Sequence, residues 1–367
     1  MRFDVGQLDK AFDQLMTAAL LPSEWPAVLE RIAQASHARG VMIVPVTSRS
    51  SGLLATESMG EGLEIYFREG WDKSDYRHRA LPQLRRAGVA IEQDYATSDD
   101  LNKSGFYQFL NKVGFRHSAL VGFRPESDFT CFTFQLDARA EPFSPAEAQV
   151  LAGMRERYML ATEIMRSLSN SRADGISHAM ELSGTACLFF DRRGAITRVN
   201  AAAERFLGTD LRIKGGELAS LHATETAMIQ KKIRTLLDAT PVLQTGLSDP
   251  VLVTRLHKRP LALRMQRLGG PLPDIFNLAV GIITVEDLNA VPDPPAAAIQ
   301  RLLSLSSAEA EVAILLAQGL DTREIAAARQ TSDGTTRAQI KSIANKLNLR
   351  RQSEISALVA RLSKFYP

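Results

Sequence analysis

Arg337 and Lys341 stand four residues apart in a segment that also places Gly334, Ala338 and Asn345 on the same stripe of a helix, while Ile340, Ile343, Ala344 and Leu347 take the other side. Two cations beside small residues suit a helix lying in the major groove of duplex DNA, because bulk there would hold the backbone away from the base edges. Arg337 has the fork to bridge the two acceptors of a guanine, and Lys341 can reach a base or a phosphate. Lys346, Arg350 and Arg351 follow at the helix end, where cations neutralise backbone phosphates. The same spacing also suits a solvated face that binds nothing.

A second group of side chains could hold a small molecule. Residues 65–80 gather Tyr66, Trp71 and Tyr76 around the carboxylate of Asp75, giving aromatic walls and one polar anchor. The competing reading makes Tyr66 and Trp71 core aromatics and Asp75 a surface or capping acid, and Phe106, Tyr107 and Phe109 carry the same two readings. His78 and His117 read as structural. The two cysteines, Cys131 and Cys187, have neither a disulfide framework nor metal-ligand spacing. His222 and His257 are single residues that make no haem site. With no nucleophile elbow, phosphate-binding Gly loop or catalytic triad order, neither a cofactor nor an enzyme is expected.

The elements that must position Arg337 and Lys341 are four helix-sized segments between Leu305 and Leu362. Val312, Leu315 and Leu316 fall at i, i+3, i+4, and Ile355, Leu358, Val359 and Leu362 repeat that spacing. Gly319 follows the first segment, Asp321 with Glu324 can cap the second, and Ser332 or Asp333 can cap the third. Leu305, Ser306, Glu309, Glu311, Val312, Gly319, Glu324, Ile325, Ala326, Ser332, Thr335, Arg337, Ile340, Ile343, Lys346 and Leu347 fall in register on a pattern running from LTxxE through EIA to SxxTVRxHIxxIxxKL. By these residues the segment resembles the DNA-binding domain of the LuxR family. Thr336 stands where that family usually has Val, Gln330 where it has Gly and Thr331 where it has Ile. The resemblance implies that Thr335, Arg337, Ala338 and Lys341 meet the duplex. It also implies that the last helix pairs two subunits through Ile355, Leu358, Val359 and Leu362.

Upstream the chain reads as α+β, with two antiparallel-sheet sensor domains of the GAF or PAS type joined by a long helix. Residues 1–170 begin with helical stretches at 7–20 and 23–35. Strand-like runs follow at 40–47, 52–56, 89–93, 117–124 and 129–136, the last two flanking a turn at 125–128. The spacing of Tyr66 and Asp75 is similar to that of the Tyr and Asp that contact acyl-homoserine lactone in the quorum-sensing LuxR members, which implies a ligand pocket there. From a capping box at Ser144 and Glu147, a helix carries Leu151, Met154, Tyr158, Ala161, Met165 and Leu168 on one seam of period 3.5. That seam reads as a dimer contact, with the domain's own core as the alternative, and 170–175 reads as a linker.

Residues 176–288 resemble a PAS domain. The resemblance lies in the first strand, the Asp191 to Gly194 turn, a second strand and a helix opened by Asn200, Ala202 and Glu204. A helix at 224–237 and strands at 251–256, 261–268 and 276–285 follow. Residues 289–300 hold the Pro-rich run VPDPP and read as a spacer before the helix-turn-helix domain at 301–367.

Composition agrees with such a division. The chain is 367 residues long, 45% hydrophobic and +3 in net charge. From Arg301 onward ten Lys and Arg face six Asp and Glu, so the positive excess sits at the end that resembles a DNA-binding domain. The absence of a signal-peptide core or a span-length apolar run points to a cytoplasmic protein. The expectation is a homodimeric, one-component transcription regulator that binds double-stranded DNA and a small-molecule signal and meets no membrane. The alternative is a regulator or interaction scaffold with empty sensor domains, controlled by a protein partner.

Overall fold

Alternation of buried side chains along the strands decides what each face of the first sheet packs against. The computed structural model describes residues 2–45, 53–123, 129–238, 249–268, 279–363 and 365–366. Strands β1 (Gly40–Pro45), β2 (Leu54–Ala55), β3 (Val89–Ile91), β4 (Phe115–Phe123) and β5 (Thr130–Asp137) form an antiparallel sheet in the order β2-β1-β5-β4-β3. Val41, Ile43, Val121, Phe132 and Phe134 point to one face, into a core shared with the helices Val5–Asp13, Leu15–Leu20 and Trp25–Ala35. Met42, Leu120 and Cys131 point to the other face, beneath the helices that flank β3 in the chain, from Gly60 to Ala87 and from Ser98 to Lys112. The expected strand ends at 46–47 and 52 and the turn at 125–128 lie outside the described residues.

The second sheet has β6 (Ala186–Phe190), β7 (Ile196–Val199), β10 (Val251–Arg255), β11 (Lys258–Arg267) and β12 (Gly281–Asp287) in the order β10-β11-β12-β6-β7, again antiparallel. The intervening β8 (Leu211–Lys214) and β9 (Glu217–Ser220) pair only with each other. With its main strands counted in chain order, this sheet has the same strand order as the first. The Asp191 carboxylate accepts from the backbone N–H of Arg193 and Ala195, closing the turn before Gly194, and Asn200 caps the next helix at Ala203. Residues 276–278 of the expected last strand lie outside the described residues.

One helix serves both sheets. Arg155–Leu182 follows Pro145–Gly153 after a break at Met154, and 28 residues make it about 42 Å long. Leu151, Met154, Tyr158, Ala161 and Met165 lie in the core of the first sheet, with the Tyr158 ring 3.9 Å from Phe123 and 4.9 Å from Phe132. The expected dimer seam is therefore a core seam over these five residues; of the six, Leu168 alone is exposed, at 47%. The expected linker at 170–175 is helical, because Ala173, Ile176 and Met180 pack on Cys187, Phe189 and Ile282 of the second sheet. That packing outweighs the poor helix propensity of Asn, Ser and Gly.

The C-terminal unit is helical throughout: Ala296–Leu303, Ser307–Ala317, Thr322–Ala328, Asp333–Lys346 and Gln352–Ser363. Its first helix occupies part of the expected spacer at 289–300, and Ile299 is buried in the bundle core, so five helices rather than four make this unit among the described residues. Gly319 takes φ +92° after the second helix, a conformation open to glycine at little cost. Ile355 and Val359 are fully buried inside the bundle. Of the four expected pairing residues only Leu358 and Leu362 retain exposure, and Leu362 packs on the core's edge.

Candidate nucleic-acid interface and ligand cavity

The helix Asp333–Lys346 is capped by Ser332, whose hydroxyl accepts from the backbone N–H of Thr335 at 3.1 Å. Thr336 and Ile343 are its buried residues, and that anchoring turns Gly334, Arg337, Ala338, Lys341 and Asn345 outward, all exposed. Thr335 is exposed as well, with its hydroxyl 2.8 Å from that of Ser332. Arg337, Lys341, Arg350 and Arg351 are exposed, and among the described residues their charged groups meet no acid. Arg350 and Arg351 use only their backbone N–H groups locally, both donating to Glu354.

Lys346 has an acid partner within the domain. Five residues beyond Lys341, it is rotated about 140° away from the cationic stripe, and its ammonium lies 2.6 Å from Glu309 Oε2. Glu309 also accepts from the Ser342 hydroxyl at 2.7 Å and the Ser306 backbone N–H at 2.7 Å. Hydrogen bonds from Lys346 and the Ser306 backbone hold its carboxyl down to about 2. Lys346, its side chain still 44% exposed, thus joins the recognition helix to the helix Ser307–Ala317.

The candidate small-molecule site is a cavity of about 300 Å³ between the first sheet and the helices above it. Met42, Val44, Leu120, Cys131 and Thr133 form its floor, Leu63, Phe67, Leu81 and Leu84 its walls, and Tyr66, Asp72, Asp75, Arg77 and His78 supply its polar groups. Two of the four expected residues, Tyr66 and Asp75, line it. Trp71 does not: its ring stacks on Phe109 at 5.3 Å and its Nε1 donates to Glu69. Tyr76 lies against Tyr107 and bonds Arg79. His78, read from sequence as structural, is on the cavity wall.

Arg77 is the residue that local composition did not mark. Its Nε donates to Asp75 Oδ1 at 3.0 Å, its Nη2 to Oδ2 at 2.6 Å and its backbone N–H to Oδ1 at 2.8 Å, while the Tyr66 hydroxyl donates to Oδ2 at 2.8 Å. Burial would raise the Asp75 carboxyl, but the Arg77 charge and these hydrogen bonds outweigh it and hold the group below its ordinary value. Burial, together with the Asp75 charge, pushes the Tyr66 phenol upward. Burial likewise moves the Cys131 thiol up to about 12, so the thiol stays protonated on the cavity floor. One signal for this floor was available in the sequence: along β5, the small and polar Cys131, Thr133 and Gln135 alternate with Phe132, Phe134 and Leu136.

Comparison with known proteins bears on the helical end. Residues 303–359 match the model of the bacterial regulatory proteins of the luxR family. No curated protein sequence matches the chain. Among solved structures, Escherichia coli SdiA overlaps 92% of this chain and 90% of its own at 11% identity, with a TM-score of 0.27. The VqsR LBD domain from Pseudomonas aeruginosa overlaps 43% of this chain and 94% of its own at 12% identity, with a TM-score of 0.33. A VqmA–ligand–DNA complex from Vibrio cholera overlaps 49% and 83% at 17% identity, with a TM-score of 0.22. Scores at this level support no assignment; the family match does. Among the described residues no helix is long and apolar enough to cross a membrane. The C-terminal helical unit of this chain is a luxR-family helix-turn-helix domain.

Proposed function

We propose that the chain is a DNA-binding transcription regulator, without a catalytic step, in which a small molecule held by the N-terminal sheet unit alters how the helix-turn-helix is presented. The observation that carries this reading is the exposed stripe Arg337, Ala338, Lys341 and Asn345, on a helix whose opposite side is locked into a luxR-family bundle. The protein acts as a homodimer, with Leu358 and Leu362 the residues of the last helix left to a second copy. A ligand in the cavity works by favouring one arrangement of that dimer over another. The helix Arg155–Leu182 supports the coupling, since its two halves are buried against different sheets.

The test uses duplexes selected by the full-length chain from a random-sequence pool. Arg337→Ala and Lys341→Ala each weaken binding to the selected sequence by about 1–3 kcal/mol if they read bases, with the thermal melt unchanged. Arg350→Ala weakens all sequences evenly and lowers the salt slope by about one. Failure to enrich any sequence, or a loss of binding matched by a loss of folding, overturns the reading.

A further inference from the structure

The polar end of the N-terminal cavity is organised by the protein's own side chains, and its organisation restricts what it can recognise. Asp75 receives two donors on Oδ1 and Tyr66 and Arg77 on Oδ2, so both carboxylate oxygens are occupied by the protein. The one O–H of Tyr66 is donated in a hydrogen bond to Asp75. A ligand N–H arriving at Asp75 therefore finds no free oxygen there.

The donors are in the opposite position. A guanidinium carries five N–H groups. Asp75 takes those on Nε and one on Nη2, and Gln135 Oε1 takes one on Nη1 at a long 3.4 Å. Beyond the Tyr66 oxygen, which also interacts with Arg77, the remaining N–H groups of the guanidinium have no acceptor among the described residues. Thr133, 1% exposed, makes only a 3.9 Å contact to the Cys131 sulfur. Both side chains line the cavity. The Asp75 and Arg77 side chains are 8% and 10% exposed and cancel in charge, and the other carboxylate of the lining, Asp72, is partly exposed, so a charged head brought beside the buried pair gains no counter-ion from it. At about 300 Å³ the space is at the lower end of small-molecule sites.

Resting on the proposed ligand role of this cavity, we propose that it takes a small neutral molecule with an apolar body and a carbonyl-type acceptor head, read by Arg77 and Thr133. Asp75 is then a positioning residue that fixes the guanidinium, and ligands that must donate an N–H or carry a charged head are rejected.

The experiment is calorimetric titration of the full-length chain with three probes of equal chain length, 2-nonanone, nonylamine and nonanoate. 2-Nonanone binds, and the amine and the carboxylate bind at least tenfold more weakly. Thr133→Val, nearly isosteric, weakens 2-nonanone about three- to tenfold, the range of one neutral hydrogen bond, and leaves the melt of the unliganded protein unchanged. Equal or tighter binding of nonylamine or nonanoate, or undiminished ketone binding by Thr133→Val, overturns the acceptor-head assignment while leaving the cavity a ligand site. Leu84→Trp fills the cavity and abolishes binding of the ketone. Binding that survives it, or no binding by any of the three probes, overturns the ligand role of the cavity and this inference with it.

Discussion

The hydroxyl of Thr336, fully buried in the recognition helix, meets the hydroxyl of Thr331 in the preceding turn at 3.3 Å. These are two of the positions at which the chain departs from the family pattern, Thr336 for Val and Thr331 for Ile. The departures explain each other, since a lone hydroxyl at 336 would be buried without a side-chain partner. Thr331→Ile alone is therefore expected to destabilise the domain by about 1–3 kcal/mol, whereas Thr331→Ile with Thr336→Val is expected to be near neutral. A double-mutant cycle by denaturant unfolding reads the coupling directly; additive single effects would mean that the two hydroxyls do not interact.

The Glu309 to Lys346 pair gives a pH-dependent expectation. Glu309 moves from an ordinary value near 4.5 down to about 2 in the folded chain. A lowered folded-state value means that the unfolded chain binds the proton more tightly, so the contribution is complete above about pH 4.5 and disappears as pH falls toward 2. The gap in melting temperature between the natural chain and Glu309→Gln should thus be widest near neutrality and shrink across that window. A gap that stays constant would show that the carboxylate charge contributes nothing.

Local signals in the sequence marked local structure well. Ser144 with Glu147 and Asp321 with Glu324 each form the reciprocal cap that their three-residue spacing implies. The outward stripe of the recognition helix followed from the period of its apolar residues. What the sequence left open depended on partners distant along the chain. A 3.5-residue seam at 151–168 fits a coiled coil and a domain core equally, and Phe123 and Phe132, 35 and 26 residues before Tyr158, decide for the core. The aromatic run at 65–80 suggested Trp71 and Tyr76 as pocket walls. The walls are instead Leu63, Phe67, Leu81 and Leu84, and β1 and β5 supply Met42, Cys131 and Thr133 as the floor.

The long helix separates two roles that its sequence alone had merged. Tyr158→Ala removes a buried ring from between Phe123 and Phe132 and should cost about 3–5 kcal/mol of stability. Leu160 and Leu168 lie two turns apart on the outer side, 55% and 47% exposed, so changing both to Glu should shift stability by about 0.5 kcal/mol or less per site. If this outer side pairs two chains, the double Glu variant runs as a monomer in light scattering with an unchanged melt. An unchanged mass leaves pairing to Leu358 and Leu362.

Backbone conformation makes opposite predictions at two exposed positions. Gly175 lies inside the helix Arg155–Leu182 with nothing within 4 Å of where a Cβ would stand. Gly175→Ala should therefore raise stability by about 0.5–1 kcal/mol by restricting the unfolded chain. Gln330 takes φ +53° at the end of the helix Thr322–Ala328, at the position where the family usually has Gly. A left-handed conformation costs a side chain about 1–2 kcal/mol, while glycine adds about 0.5–1 kcal/mol of unfolded-state entropy. Gln330→Gly should then melt at or slightly above the natural chain, the reverse of an ordinary change to glycine. A clear loss of stability would mean that the Gln330 side chain makes a contribution larger than the strain it carries.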